Sequence, residues 1–192
     1  MVSIVIPSYN EGVVLLETIQ SLIDNISSSS HTLEYEIIVV DSSTDDTFEI
    51  IQLSELKNND KINIIKGKSR MFPGEARNLG IKNSKYDIIV FTDVGFTFEK
   101  DWLIQLVEPL TREDSIDISW GITKTSLSNR NDRLFTYLVG DKNEKRKIIP
   151  NVAIRKKVFM DGYWFNSNLR AVEDTNFINE IDGKYNEVFV QA

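Results

Sequence analysis

The sequence predicts an α/β fold with a mainly parallel central sheet flanked by helices. Three observations predict it. Apolar runs of strand length recur through the first half of the chain, none of them alternates with period two, and segments of helical periodicity separate them. A strand covered on both faces reads as a continuous apolar run. Repeated β-α-β units with right-handed crossovers then place such strands side by side in parallel.

Ser3 to Pro7 is the first strand, followed by Leu15, Leu16, Ile19, Leu22, Ile23 and Ile26 at helical spacing. The serine run at 27–30 reads as a solvated loop, and His31 beside it as a surface residue. Glu36 to Val40 is the second strand and runs into Asp41; Thr44 suits the cap of the next helix, with Asp45 and Asp46 in its first turn. Ile62 to Ile65 is the third strand, Ala76 to Ile81 a short helix, and Asp87 to Thr92 the fourth strand, running into Asp93. Trp102, Leu103, Leu106, Val107 and Leu110 line a further helix, which Pro109 is expected to end or kink. Beyond residue 115 regularity falls: Ser126 to Asp132 and Gly140 to Lys147 read as polar loops, Val152 to Ile154 and Glu187 to Val190 as strands, and a helix starts near Asp174.

Bulk composition bounds the function loosely. The 192 residues suit one domain, and 41% hydrophobic residues suffice for a real core. A net charge of -7 argues against a nucleic-acid partner. Without cysteine, disulfides and thiol chemistry are excluded, which fits a reducing compartment. No apolar run is long enough for a transmembrane segment, and Met1 to Pro7 reads as a strand rather than a signal peptide.

In parallel sheets, ligands sit beyond the carboxyl ends of the strands. The polar residues to watch are therefore Ser8 to Glu11, Asp41 to Thr44, Lys66 to Arg70, and Asp93 to Gly95. Lys66, Lys68, Arg70 and Arg77 gather cations near one strand end, where an anionic ligand would be held. Gly67-Lys68-Ser69 is no phosphate loop, because Ile62 stands where that pattern needs glycine. The first strand is followed by neither G-x-G-x-x-G nor a glycine-rich basic loop, which disfavours a dehydrogenase and a nucleotidyltransferase.

Val2-Ser3-Ile4-Val5-Ile6-Pro7-Ser8-Tyr9-Asn10-Glu11 resembles the opening of the inverting family 2 glycosyltransferases with the GT-A fold. The likeness continues through Ile38 to Thr47, Gly74 to Gly80, Asp87 to Asp93, and Glu173-Asp174, in family order. It implies a single glycosyltransferase domain over 1–192, with a Rossmann-like nucleotide-sugar-binding half at 1–98 and an acceptor-side half at 99–192. Members commonly continue beyond the Glu-Asp helix, so the chain is expected to be either a compact member or a domain without its acceptor-binding tail. The Gln-x-x-Arg-Trp block of processive members is absent.

The resemblance also implies roles. Pro7, Tyr9, Asn10 and Glu11 would wall the donor nucleotide, and Asp41 would accept the ring N–H of its base, although Asp41 and Thr44 also suit helix capping. This segment has one residue fewer than the family's usual run, which blurs the aspartate matched. Arg77 and Asp93 would face the diphosphate, with Lys68 and Arg70 as further phosphate contacts. Asp174 would be the base that deprotonates the acceptor, supported by Glu173; both also suit the start of a helix. Trp120 and Trp164 would stack on acceptor sugar or lie in the core. The donor implied is a nucleotide-diphosphate sugar, UDP-sugar preferred, and the acceptor a glycan, a lipid-linked group or a protein. The expected location is cytoplasmic, or peripheral at the cytoplasmic face of a membrane. A divalent cation, Mn2+ or Mg2+, would sit at Asp93, but Gly95 stands where the family usually has its second aspartate. A non-catalytic nucleotide-sugar-binding module is the reading from a different class.

Overall fold

A computed structural model of the chain describes residues 1–29, 31–122 and 145–192. The expected loop at Ser126 to Asp132, Ser30, and the first part of Gly140 to Lys147 lie outside the described residues. In chain order the elements are β1 (Val2–Ser8), α1 (Val13–Ser27), β2 (Tyr35–Asp41), α2 (Thr47–Leu53), β3 (Ile62–Lys66), α3 (Pro73–Lys82), β4 (Ile88–Phe91), α4 (Trp102–Arg112), β5 (Ile118–Gly121), β6 (Val152–Arg155), α5 (Lys157–Met160), α6 (Glu173–Ile181) and β7 (Glu187–Val190).

The strands form one sheet in the order β3-β2-β1-β4-β6-β5-β7. All neighbours pair in parallel except β6, which runs antiparallel to both β4 and β5. From β1 the chain winds outward through β2 and β3, then returns to place β4 on the other side of β1. That reversal opens a crevice at the carboxyl ends of β1 and β4.

Burial explains why the strands lack alternation. Ile4 and Ile6 of β1 pack with α1 and α4, whereas Val5 packs on the opposite face with Ile81, Phe91 and Phe159. Every residue of β2 is buried. Helices α1 and α4 present one apolar stripe each, through Leu15, Ile19 and Leu22 and through Leu103, Leu106 and Leu110.

Four sequence expectations need correction. Thr44 does not cap α2, because its N–H and hydroxyl meet Asn10 in the loop after β1. Asp45 and Asp46 precede that helix rather than opening it; Asp45 accepts the N–H and hydroxyl of Thr47. Pro109 does not end α4, which runs on to Arg112; near a carboxyl terminus the missing N–H costs one bond only. Trp120 is 0% exposed and donates from Nε1 to Glu187 at 3.0 Å, so it is a core residue and not an acceptor contact. No helix among the described residues is long and apolar enough to cross a membrane.

Candidate active site

A cavity of about 490 Å3 opens at the carboxyl edge of the sheet, within the size range of small-molecule sites. Pro7, Ser8, Tyr9 and Glu11 enter it from the end of β1, Ser42 from the end of β2, and Asp93, Val94 and Phe96 from the end of β4. The segment from Arg70 to Pro73, with Ala76 and Arg77 of α3, closes one side, and Arg170, Glu173 and Asp174 close another. Arg70 lies over the Tyr9 ring, 4.5 Å from its centroid. The Ser8 hydroxyl is buried and without a partner among the described residues.

Helix α3 builds the floor by docking the distant 165–174 segment. Gly74 makes this possible: a Cβ there would sit 3.0 Å from the Asn166 carbonyl oxygen and 3.1 Å from Phe165 Cβ. One turn on, Asn78 donates to the Phe165 carbonyl at 2.7 Å and accepts the Phe165 N–H at 3.1 Å. Between them Arg77, 2% exposed, faces three carboxylates. Its Nη1 donates to Glu173 Oε1 at 2.9 Å and to Asp174 Oδ1 at 2.8 Å. Its Nη2 donates to Asp93 Oδ1 and Oδ2 at 3.0 and 3.3 Å.

These carboxylates differ in exposure. Glu173 is nearly buried, whereas the Asp174 side chain keeps 31% of its surface. Burial raises the Asp174 pKa from an ordinary 3.8 to about 6; Arg77 pulls it down, and Glu173 and Asp93 push it up. Glu11, in the loop after β1, is also raised, by burial and then by Asp93 and Asp45.

The residue before this pair is strained. Val172 has φ 62 and ψ 13, a left-handed conformation costly for a β-branched side chain, and it is 67% exposed. Glycine takes this conformation freely, and little packing would be lost. Val172→Gly should therefore stabilise the fold by about 1 kcal/mol, read as a raised urea midpoint.

The cavity brings together Pro7, Tyr9, Glu11, Arg70, Arg77, Asp93, Glu173 and Asp174 of the sequence-predicted residues. Others stand apart. Asn10 adopts φ 59 and ties the β1 loop to the β2 loop through Thr44 and Ser43. Asp41 is fully buried and accepts the Ser43 hydroxyl at 2.6 Å, so the cavity wall there is Ser42. Lys68 does not line the cavity. Trp164 packs on Phe159, with Lys82 over its ring. Sequence reasoning missed Arg170, Met71, Phe72 and Phe96; the one available signal was a cation three residues before Glu173.

The protein side chains offer a divalent ion little support of their own. Gly95 has φ 86, and its N–H donates to Thr18 Oγ1 at 3.0 Å, so glycine serves the backbone where a ligand would be needed. Both oxygens of Asp93 accept from Arg77. Among the described residues no group of three acidic or histidine side chains forms an all-protein cage, so an ion here would rest on Asp93 with the donor's own phosphates and water.

The chain resembles proteins of known kind along its length. An uncharacterized glycosyltransferase of Haemophilus influenzae is 24% identical over 191 residues, covering 93% of this chain and 60% of that protein. The Pyrobaculum calidifontis mannosyltransferase PcManGT, in complex with GDP-Man and Mn2+, superposes with a TM-score of 0.74 at 18% identity, covering 100% of this chain and 56% of that one. Staphylococcus aureus TarS 1-349, in complex with UDP-GlcNAc, gives 0.68 at 19% identity, covering 100% and 59%. The chain thus spans less than two thirds of the length of each of these proteins. The two solved structures have the fold described above. The sequence profile of Glycosyl transferase family 2 matches residues 3–170, and the chain belongs to that family.

Proposed function

We propose that the chain is the catalytic domain of an inverting glycosyltransferase that moves a sugar from a nucleotide-diphosphate donor, UDP-sugar preferred, to an acceptor hydroxyl. The single observation carrying this reading is that Asp174, partly exposed and with its pKa raised to about 6, faces the same cavity as Asp93 and the β1 loop. A base poised near neutrality and a nucleotide-sized crevice at a sheet switch point are what direct displacement requires.

In the proposed reaction the acceptor O–H gives its proton to the Asp174 carboxylate. The oxygen forms a bond to C1 of the sugar, on the face opposite the leaving group. The bond from C1 to the diphosphate oxygen breaks, and the nucleoside diphosphate leaves with the electron pair. Tyr9 and Pro7 are suited to wall the base, and the buried Ser8 hydroxyl to bond it or its ribose. Among the described residues, Arg70 and Arg170 are the cations at the cavity available to the departing diphosphate. The donor complexes of PcManGT and TarS support a nucleotide-sugar donor; the acceptor is a glycan, a lipid-linked group or a protein hydroxyl.

Calorimetric titration with UDP, GDP and dTDP, each with Mn2+ and with EDTA, tests the reading. UDP should bind most tightly, and its affinity should change by no more than about threefold on chelation, since Gly95 supplies no second carboxylate and Arg77 engages both oxygens of Asp93. No binding by any nucleotide would sink the proposal.

A further inference from the structure

We infer that Arg77 is a positioning residue, which fixes the Asp174 carboxylate and ties it to Asp93 across the cavity floor, rather than a ligand of the donor diphosphate. The inference rests on the assignment of Asp174 as base.

A guanidinium carries four η hydrogens and one ε hydrogen. Here the Nη1 pair is spent on Glu173 and Asp174 and the Nη2 group on Asp93, while Nε is buried and unpartnered among the described residues. With the side chain only 2% exposed beneath these carboxylates, an arriving phosphate could reach the guanidinium only by displacing one of them. Charge points the same way. Three carboxylates around one cation leave the group acidic when all are ionised, so it does not attract an anion.

What the guanidinium does hold is geometry. It joins α3, the end of β4 and the start of α6, and its partners on α6 lie 96 and 97 positions away in sequence. The flanking α3 residues, Gly74 and Asn78, secure the same distant segment through close backbone approach and paired amide bonds. The strained Val172 immediately precedes the two clamped carboxylates, a conformation that persists only where surrounding contacts enforce it. Lysine keeps the charge but has no planar fork, so it cannot satisfy the three carboxylates with the same bonds. Asp174 is faced by Arg77 from α3, by Glu173 from its own helix, and by Asp93 from the end of β4.

The test compares Arg77→Lys and Arg77→Gln with the unsubstituted chain, folding being checked by circular dichroism. UDP affinity is measured by calorimetry, and UDP-sugar turnover, with water as acceptor, is followed across pH. In Arg77→Lys we expect UDP affinity within about threefold but turnover reduced on the order of a hundredfold, as for a misplaced catalytic group. The acidic limb of the pH profile should move upward in Arg77→Gln, and Lys should restore part of that shift. A loss of UDP affinity as large as the loss of turnover would overturn the inference, because Arg77 would then be a donor ligand. So would a Lys variant with unchanged turnover and an unchanged acidic limb. If the unsubstituted chain binds no nucleotide, the functional reading fails by itself. The carboxyl 13C titration of Asp174 in Arg77→Lys then decides the clamp alone: an unchanged curve refutes it, and a displaced one supports it.

Discussion

Asp174→Asn is expected to lower sugar transfer by about 10²–10⁴-fold, the usual contribution of a positioned general base, while nucleotide affinity stays within about threefold. Asparagine preserves the shape of the side chain and can still occupy the space beside Arg77, but it cannot accept the acceptor's proton. The parent's turnover should rise with pH through about 6, where Asp174 ionises, and level off above it. The folded pKa lies above the ordinary 3.8, so between these values the folded chain holds a proton that the unfolded chain releases. The contribution of this group to stability is therefore present at low pH and is lost as pH rises toward 6. Asparagine does not titrate, so thermal midpoints measured from pH 4 to 7 should shift progressively in the variant's favour. A variant that loses nucleotide binding in step with activity would assign Asp174 to the donor instead.

Phe177→Ala should cost about 3–5 kcal/mol, the range for removing a buried aromatic ring. Phe177 is fully buried on α6 and stacks on Phe165 at 4.3 Å between centroids and on Phe159 at 5.8 Å. It is the next turn of the helix that begins with Glu173, and its ring carries that helix against the segment tied to Asn78. Chemical denaturation should show a lowered midpoint with little change in slope. Because the same helix presents Asp174, activity should fall further than the fraction unfolded accounts for. A loss below about 1 kcal/mol would mean that the aromatic stack does not anchor α6.

The sheet was legible because double-sided burial prints directly into sequence: Ile4, Val5 and Ile6 must all be apolar when neighbours occupy both faces. The strand-end positions of Asp93 and Glu11 followed from the same logic. Thr44 was misread because one hydroxyl serves a helix cap or a neighbouring loop equally well, and Asn10, far away in sequence, decides between them. Trp120 was ambiguous because an aromatic ring suits a core and a sugar face alike. Asp41 carries no local sign that Ser43 turns back onto its carboxylate. The partners of Arg77 could not be read at all, since its surroundings are set by residues some 96 positions downstream.

That separation bears on how the protein is made. Chains emerge from the ribosome at about 5–20 residues per second, so α3 is exposed on the order of 5–20 s before Glu173 and Asp174 exist. During that interval the guanidinium cannot be sealed beneath its carboxylates, and the amino-terminal strands must associate around an incomplete floor. The floor of the cavity can be completed only once the downstream helix has been made and closes on α3. Ribosome-bound intermediates stalled before residue 173 should accordingly hold a sheet but no working site.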